Sequence, residues 1–92
     1  MSYAVELTPV AEGDLDSLPP MLASHVLEQL DRLAADPVRL SRRGSFPHPL
    51  YQKYQFYWPP DAPREAEVTI LFRYSQDETT LEIIGIGVVY YE

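Results

Sequence analysis

The stretch Val68-Thr69-Ile70-Leu71-Phe72-Arg73-Tyr74, a polar turn over Ser75 to Thr79, and Leu81-Glu82-Ile83-Ile84-Gly85-Ile86-Gly87-Val88-Val89-Tyr90-Tyr91 decide the fold. Val68, Ile70, Phe72 and Tyr74 alternate with Thr69, Leu71 and Arg73, the period-two pattern of a strand with one buried face. The segment from Leu81 is also a strand, and from Ile83 onward it is apolar on both faces. Such a strand sits inside a sheet, covered by helices on one side and by something else, a partner included, on the other. Gly85 and Gly87 mark a bulge or a close backbone approach.

Upstream of this hairpin, a strand begins near Tyr51. Tyr54, Phe56 and Trp58 form an aromatic inner face against the outer Lys53, Gln55 and Tyr57. Pro59-Pro60-Asp61-Ala62-Pro63 ends it, because proline cannot donate to a ladder. Ser41 to Pro49 reads as an ordered loop. Two helices precede it. Thr8-Pro9 supplies an N-cap hydroxyl and a first-turn proline, and Ala11, Leu15 and Leu18 make one stripe. Leu18-Pro19-Pro20 stops that helix. Leu22, Val26, Leu30 and Leu33 carry a second helix, roughly Pro20 to Ala35, closed by Asp36-Pro37. The short joint makes an antiparallel helical hairpin. Tyr3, Val5 and Leu7 form a first strand. The order is β-α-α-β-β-β: an α+β domain with an N-terminal strand and a helical hairpin packed on a mainly antiparallel four-stranded sheet.

With 92 residues, the chain is one domain spanning residues 1–92, with a real but shallow core. No run of 18 apolar residues predicts a membrane span, and Met1 to Glu6 lacks a signal-peptide layout. Cysteine is absent. That excludes disulfides, thiolate zinc sites and cysteine nucleophiles, and fits a reducing compartment.

The net charge of −7 opposes tight nucleic-acid binding over the whole surface, where cations supply most of the affinity. The distribution is uneven. Residues 37–53 hold Arg39, Arg42, Arg43 and Lys53 and no acid, between two acidic segments. This reads either as a solvated loop or as a local anion-binding patch. His25 lies mid-helix beside apolar positions, and His48 lies between two prolines in the basic segment. Neither has carboxylates at ligand spacing, so no metal or other cofactor is expected. Strand parity assigns Tyr54 and Trp58 to packing and leaves Tyr57 as the exposed aromatic suited to stacking on a base. There is no P-loop and no dinucleotide-binding glycine set.

Several segments carry a family likeness. Tyr3-Ala4-Val5-Glu6-Leu7-Thr8-Pro9, Ala11-Glu12, Asp14-Leu15, Leu18-Pro19, Leu33-Ala34-Ala35-Asp36-Pro37, Thr69 to Tyr74 and Ile84 to Tyr90 together resemble the RelE/ParE toxin superfamily. The likeness covers nearly the whole chain except about residues 41–67. It implies a toxin of a toxin–antitoxin pair, cytoplasmic, with a cognate antitoxin as partner. In the ribosome-dependent mRNA endonucleases of that family, basic side chains hold the scissile phosphate and a late tyrosine assists. The resemblance carries those roles to Tyr90 and Arg73; Lys53, in the second strand where the family also has basic residues, joins them as a candidate catalytic residue, and Arg42, Arg43 and Arg39 of the basic segment are the candidate phosphate contacts.

The family pattern is interrupted at Thr69, where an arginine is common, and at Ile86-Gly87, where a His-Arg-type pair is common. Each missing cation would cost roughly 10²–10³ in rate. The alternative is therefore a non-catalytic binding domain on the same fold, either of the gyrase-inhibiting type or a degenerate toxin that keeps its protein partner. A third possibility, a homodimeric domain, rests on the two-sided apolar last strand.

Overall fold

A computed structural model describes residues 2–43, 51–61 and 63–91. The elements are β1 (Ala4–Leu7), α1 (Pro9–Asp16), α2 (Pro20–Ala35), α3 (Pro37–Leu40), β2 (Arg42–Arg43), β3 (Gln52–Trp58), β4 (Ala66–Tyr74) and β5 (Thr80–Tyr90). The strands form one sheet in the order β1-β5-β4-β3-β2. Among the described residues only the β1–β5 pair is parallel.

The four strands and two helices expected from the sequence are all present. A fifth strand of two residues, β2, extends the far edge by pairing Arg42 with Lys53 and Arg43 with Gln52. Two residues of the segment read as a loop are thus a sheet edge, and a short helix, α3, directly precedes that segment. The remainder of that loop, with His48, lies outside the described residues.

Strand alternation builds the core as the pattern predicts. Val68, Ile70 and Phe72 of β4 are fully buried, as are Leu81 and Ile83 of β5. Leu22, Val26, Leu30 and Leu33 press on them from α2. Each such side chain contributes about 1.5–3 kcal/mol of burial. Tyr54 is buried too, and its hydroxyl donates to Gln29 Oε1 of α2. His25 of α2 packs between the rings of Phe56 and Trp58, with centroids 5.4 and 5.0 Å away. The helices therefore cover one face of the sheet, and among the described residues no helix covers the other, open face.

The N-cap of α1 is Thr8. Its Oγ1 accepts from the Ala11 amide at 3.3 Å and donates to the Ile83 carbonyl at 2.9 Å. One hydroxyl thus starts the helix and ties it to β5. Immediately beyond that tie, β5 bulges. Leu71 pairs with Gly85 but Phe72 pairs with Ile83, so Ile84 has no partner on β4. Asp14 of α1 stabilises the irregularity by accepting the Ile86 amide on Oδ2 at 3.0 Å. The Gly85–Gly87 signal in the sequence therefore marks a bulge.

Candidate functional site

The bulge decides which late tyrosine faces which side. Before it, Leu81 and Ile83 point to the core. After it, the even positions Ile86, Val88 and Tyr90 take over that face, opposite Ile70, Val68 and Ala66. Tyr90 consequently lies on the helix side. There it lines a hollow with Pro19, Pro20, Met21, Leu22, Trp58 and Glu65. Tyr91 falls on the open face, held by its amide donating to the Glu65 carbonyl at 2.8 Å.

The cations gather elsewhere. Arg42 and Lys53 are cross-strand partners and share the open face. With Arg39, Gln55, Tyr57 and Glu67 they line a surface hollow of about 440 Å³, closed at one end by Leu40 and Ser41. An Arg42 amino group donates to Gln55 Oε1. The Gln55 amide group donates in turn to Glu67 Oε1 at 3.3 Å and to Thr69 Oγ1 at 3.2 Å. This chain of hydrogen bonds fixes the Gln55 side chain and, among the described residues, leaves Arg42 facing only a neutral acceptor. Lys53 has no hydrogen-bond or ion-pair partner among the described residues.

The other basic side chains are committed to varying degrees. Arg39 donates to Asp36 at 2.6 Å, and that hydrogen bond holds the Asp36 carboxyl below its ordinary range. Arg73 is on the open face and donates to Glu82 at 2.7 Å, which raises its already high pKa. It sits two residues beyond Leu71, the β4 partner of Lys53, or about 7 Å along the strand. Arg43 alternates away from Arg42 and pairs with Gln52. Arg64 lies over the Tyr57 ring, 3.8 Å from its centroid.

Of the residues singled out in the sequence, the structure brings Arg39, Arg42 and Lys53 together and leaves Arg73 nearby on the same face. It does not join Tyr90 to them. Tyr90 pairs with Ala66, five residues along β4 from Leu71. That is about 17 Å of strand, on the opposite side of the sheet.

Tyr91 is the late tyrosine on the cationic face. Partial desolvation, and then the negative charge of Glu67, push its hydroxyl above the ordinary tyrosine range, so it stays a proton-bearing donor at neutral pH. Sequence parity already signalled Gln55 beside Lys53 and Tyr57, whereas Glu67 joins them only because β4 starts at Ala66, earlier than the alternation from Val68 indicates. Tyr91 carried no such signal, because the extra residue Ile84 reverses the count. Thr69 and Gly87, at which the family pattern resembled in the sequence is interrupted, are cross-strand partners beside Gln55. The centre of the face is therefore uncharged. Among the described residues no group of three or more His, Asp or Glu side chains comes together to hold a metal ion.

No family model matches the chain, and no curated relative matches it. Solved structures do. The toxin–antitoxin complex RelBE2 from Mycobacterium tuberculosis is similar at TM-score 0.72 and 22% identity, over 94% of this chain and 96% of that one. A mutant of the E. coli toxin RelE in the free state gives TM-score 0.66 at 12% identity, over 95% and 83%. The intact E. coli RelBE toxin–antitoxin complex gives 0.65 at 10%, over 94% and 95%. Across nearly its whole length, this chain has the fold of the RelE toxins.

Proposed function

We propose that this chain is a RelE-type toxin of a toxin–antitoxin pair, acting in the cytoplasm on translation, and that the open face of its sheet holds an RNA strand. The observation that carries this is the pairing of Arg42 with Lys53 over the hollow. In a chain of net charge −7, this is a local cationic spot.

The chemistry that fits is cleavage of RNA by its own 2′-hydroxyl. Arg42 and Lys53 hold the phosphate and take up charge as the attacking oxygen bonds to phosphorus. The Glu67 carboxylate accepts the 2′-hydroxyl proton. Tyr91 donates to the departing 5′-oxygen. Arg73 supports the phosphate field from the neighbouring row, reduced by its pairing with Glu82. Tyr90 has no part in this step, since it belongs to the other side of the sheet.

The test is induction of the gene alone in bacteria, with incorporation of labelled methionine as the readout. Loss of incorporation with the natural chain, and recovery with an Arg42→Ala, Lys53→Ala double variant, is the expected result. Unimpaired incorporation with well-expressed natural protein would end the translation reading. The uncharged centre of the face at Thr69 and Gly87 favours a second reading, a non-catalytic binder of gyrase type. A supercoiling assay with purified protein tests it.

A further inference from the structure

Past Lys53, the outer side of β3 has no strand beside it among the described residues, because β2 pairs only with Gln52 and Lys53. Helix α2 lies beside this edge instead. His25, Gln29 and Arg32 are spaced i, i+4, i+7 and share one stripe of α2. That stripe is polar where a helix packed on a sheet is ordinarily apolar. It meets an aromatic row: His25 packs on Phe56 and Trp58, and Gln29 accepts the Tyr54 hydroxyl on Oε1. With Tyr57, Pro60 and Arg64, this stripe lines a hollow of about 240 Å³.

The polar groups of the hollow are mostly donors that lack acceptors. Glu28, one turn before Arg32, approaches His25 Nδ1 at 3.9 Å and does not pair with Arg32. Neither Arg32 nor Arg64 has a hydrogen-bond or ion-pair partner among the described residues. The charge of Arg32 is felt inside the hollow, where burial raises the Tyr54 pKa and Arg32 works against that rise. Arg64 is held over the Tyr57 ring, 3.8 Å from its centroid. Stacking engages the face of a guanidinium and leaves its N–H rim to donate. Gln29 uses its oxygen on Tyr54, so its amide N–H groups remain as donors.

Two guanidinium groups and an amide around one small space select an anion that accepts several hydrogen bonds. A phosphate monoester does this with three oxygens to share between two arginines. The wall at Phe56 and Pro60 is apolar and suits a flat ring. The volume lies below the usual range for drug-sized ligands, so the ring is a small one. We infer that this hollow binds a small phosphate monoester carrying a flat ring, of the class of a pyrimidine nucleoside monophosphate. Arg32 and Arg64 clasp the phosphate from α2 and from the turn after β3, and the ring lies on Phe56 and Pro60. The site goes beyond the toxin reading and does not depend on it. It shares only Tyr57 with the hollow of Arg42 and Lys53 on the open face.

The probes are cytidine 5′-monophosphate, cytidine, inorganic phosphate and a single-stranded tetracytidylate. Each is titrated into the isotope-labelled full chain, and the Nε–H signals of Arg32 and Arg64 and the side-chain amide of Gln29 are followed by NMR. The monophosphate is expected to shift all three and to saturate. Inorganic phosphate should need at least about tenfold more, since it lacks the ring contact, and cytidine should leave the arginines unmoved. Arg32→Gln and Arg64→Gln, both at exposed positions, should each weaken the monophosphate by about tenfold, the loss of one charge-assisted hydrogen bond. The Arg42→Ala, Lys53→Ala variant should bind it as the natural chain does. No saturation at millimolar monophosphate would overturn the inference, as would equal binding of inorganic phosphate, which would leave a patch for any anion. So would tetracytidylate saturating these signals where the monophosphate does not, or loss of monophosphate binding in the Arg42→Ala, Lys53→Ala variant. Either would make the hollow part of an RNA path or move the ligand to the open face.

Discussion

Removing Lys53 and Arg42 should change how RNA binding responds to salt, and by a predictable amount. Five basic side chains stand on or near the open face, but their commitments differ, and Arg64 is already stacked on the Tyr57 ring. Arg39 and Arg73 are each held by a carboxylate, at 2.6 and 2.7 Å. Arg42 faces a neutral amide, and Lys53 has no partner among the described residues. Two net phosphate contacts are therefore expected. Each contact to a single strand contributes a slope of about −0.7 in log affinity against log salt, about −1.4 for two. Affinity for a short single-stranded RNA should then fall about 25-fold for a tenfold rise in salt. Lys53→Ala or Arg42→Ala alone should bring the slope to about −0.7, and the double variant should flatten it. Arg73→Ala, which also frees Glu82, should leave the slope near that of the natural chain. Fluorescence anisotropy over a salt series, with the same labelled RNA throughout, provides the measurement. A double variant with the natural slope would show that phosphates bind elsewhere, and the reasoning from the hollow would be wrong.

Three further outcomes follow from particular residues. Tyr90→Phe should leave RNA binding and translation block unchanged while Tyr91→Phe weakens the block, the two compared at equal expression; the reverse result would place the working face on the helix side. Asp14→Ala strands the Ile86 amide at the bulge and should cost about 1–3 kcal/mol in urea unfolding, with Asp14→Asn costing less because it keeps an acceptor. The pH dependence of stability should break in the alkaline range. Burial raises the Tyr54 pKa above the ordinary tyrosine range and does the same to Tyr74. Between the unfolded and folded values the native state keeps protons that the unfolded chain has lost. Stability should thus be complete below about pH 10 and fall as the pH rises through the folded pKa. Thermal unfolding across that range, with Tyr54→Phe reducing the slope, checks it.

Period and punctuation alone determined most of this fold. The alternation in β3 and β4, the stripe of α2, the Thr8-Pro9 start and the proline stops are local signals, and each element formed where its signal lay. Those signals also placed Tyr54 and Trp58 inward and Lys53, Gln55 and Tyr57 outward, because one buried face fixes strand parity. The short edge strand β2 was not legible, since two residues carry no period and Arg42 and Arg43 are held by pairing with β3.

The composition of the site was only half legible. The run of bases in residues 37–53 was plain in the sequence, but its meaning depends on which cations meet carboxylates from distant segments, as Arg73 meets Glu82. The late tyrosine shows the limit most clearly. Sequence order makes Tyr90 and Tyr91 near-equivalent, and the family likeness chose Tyr90. One unpaired residue at Ile84, held in place by Thr8 and Asp14 of a different element, turns Tyr90 toward the helices and Tyr91 toward the cations. Local chemistry set the strands. Long-range hydrogen bonds set the bulge, and the bulge decided which side chains share a face.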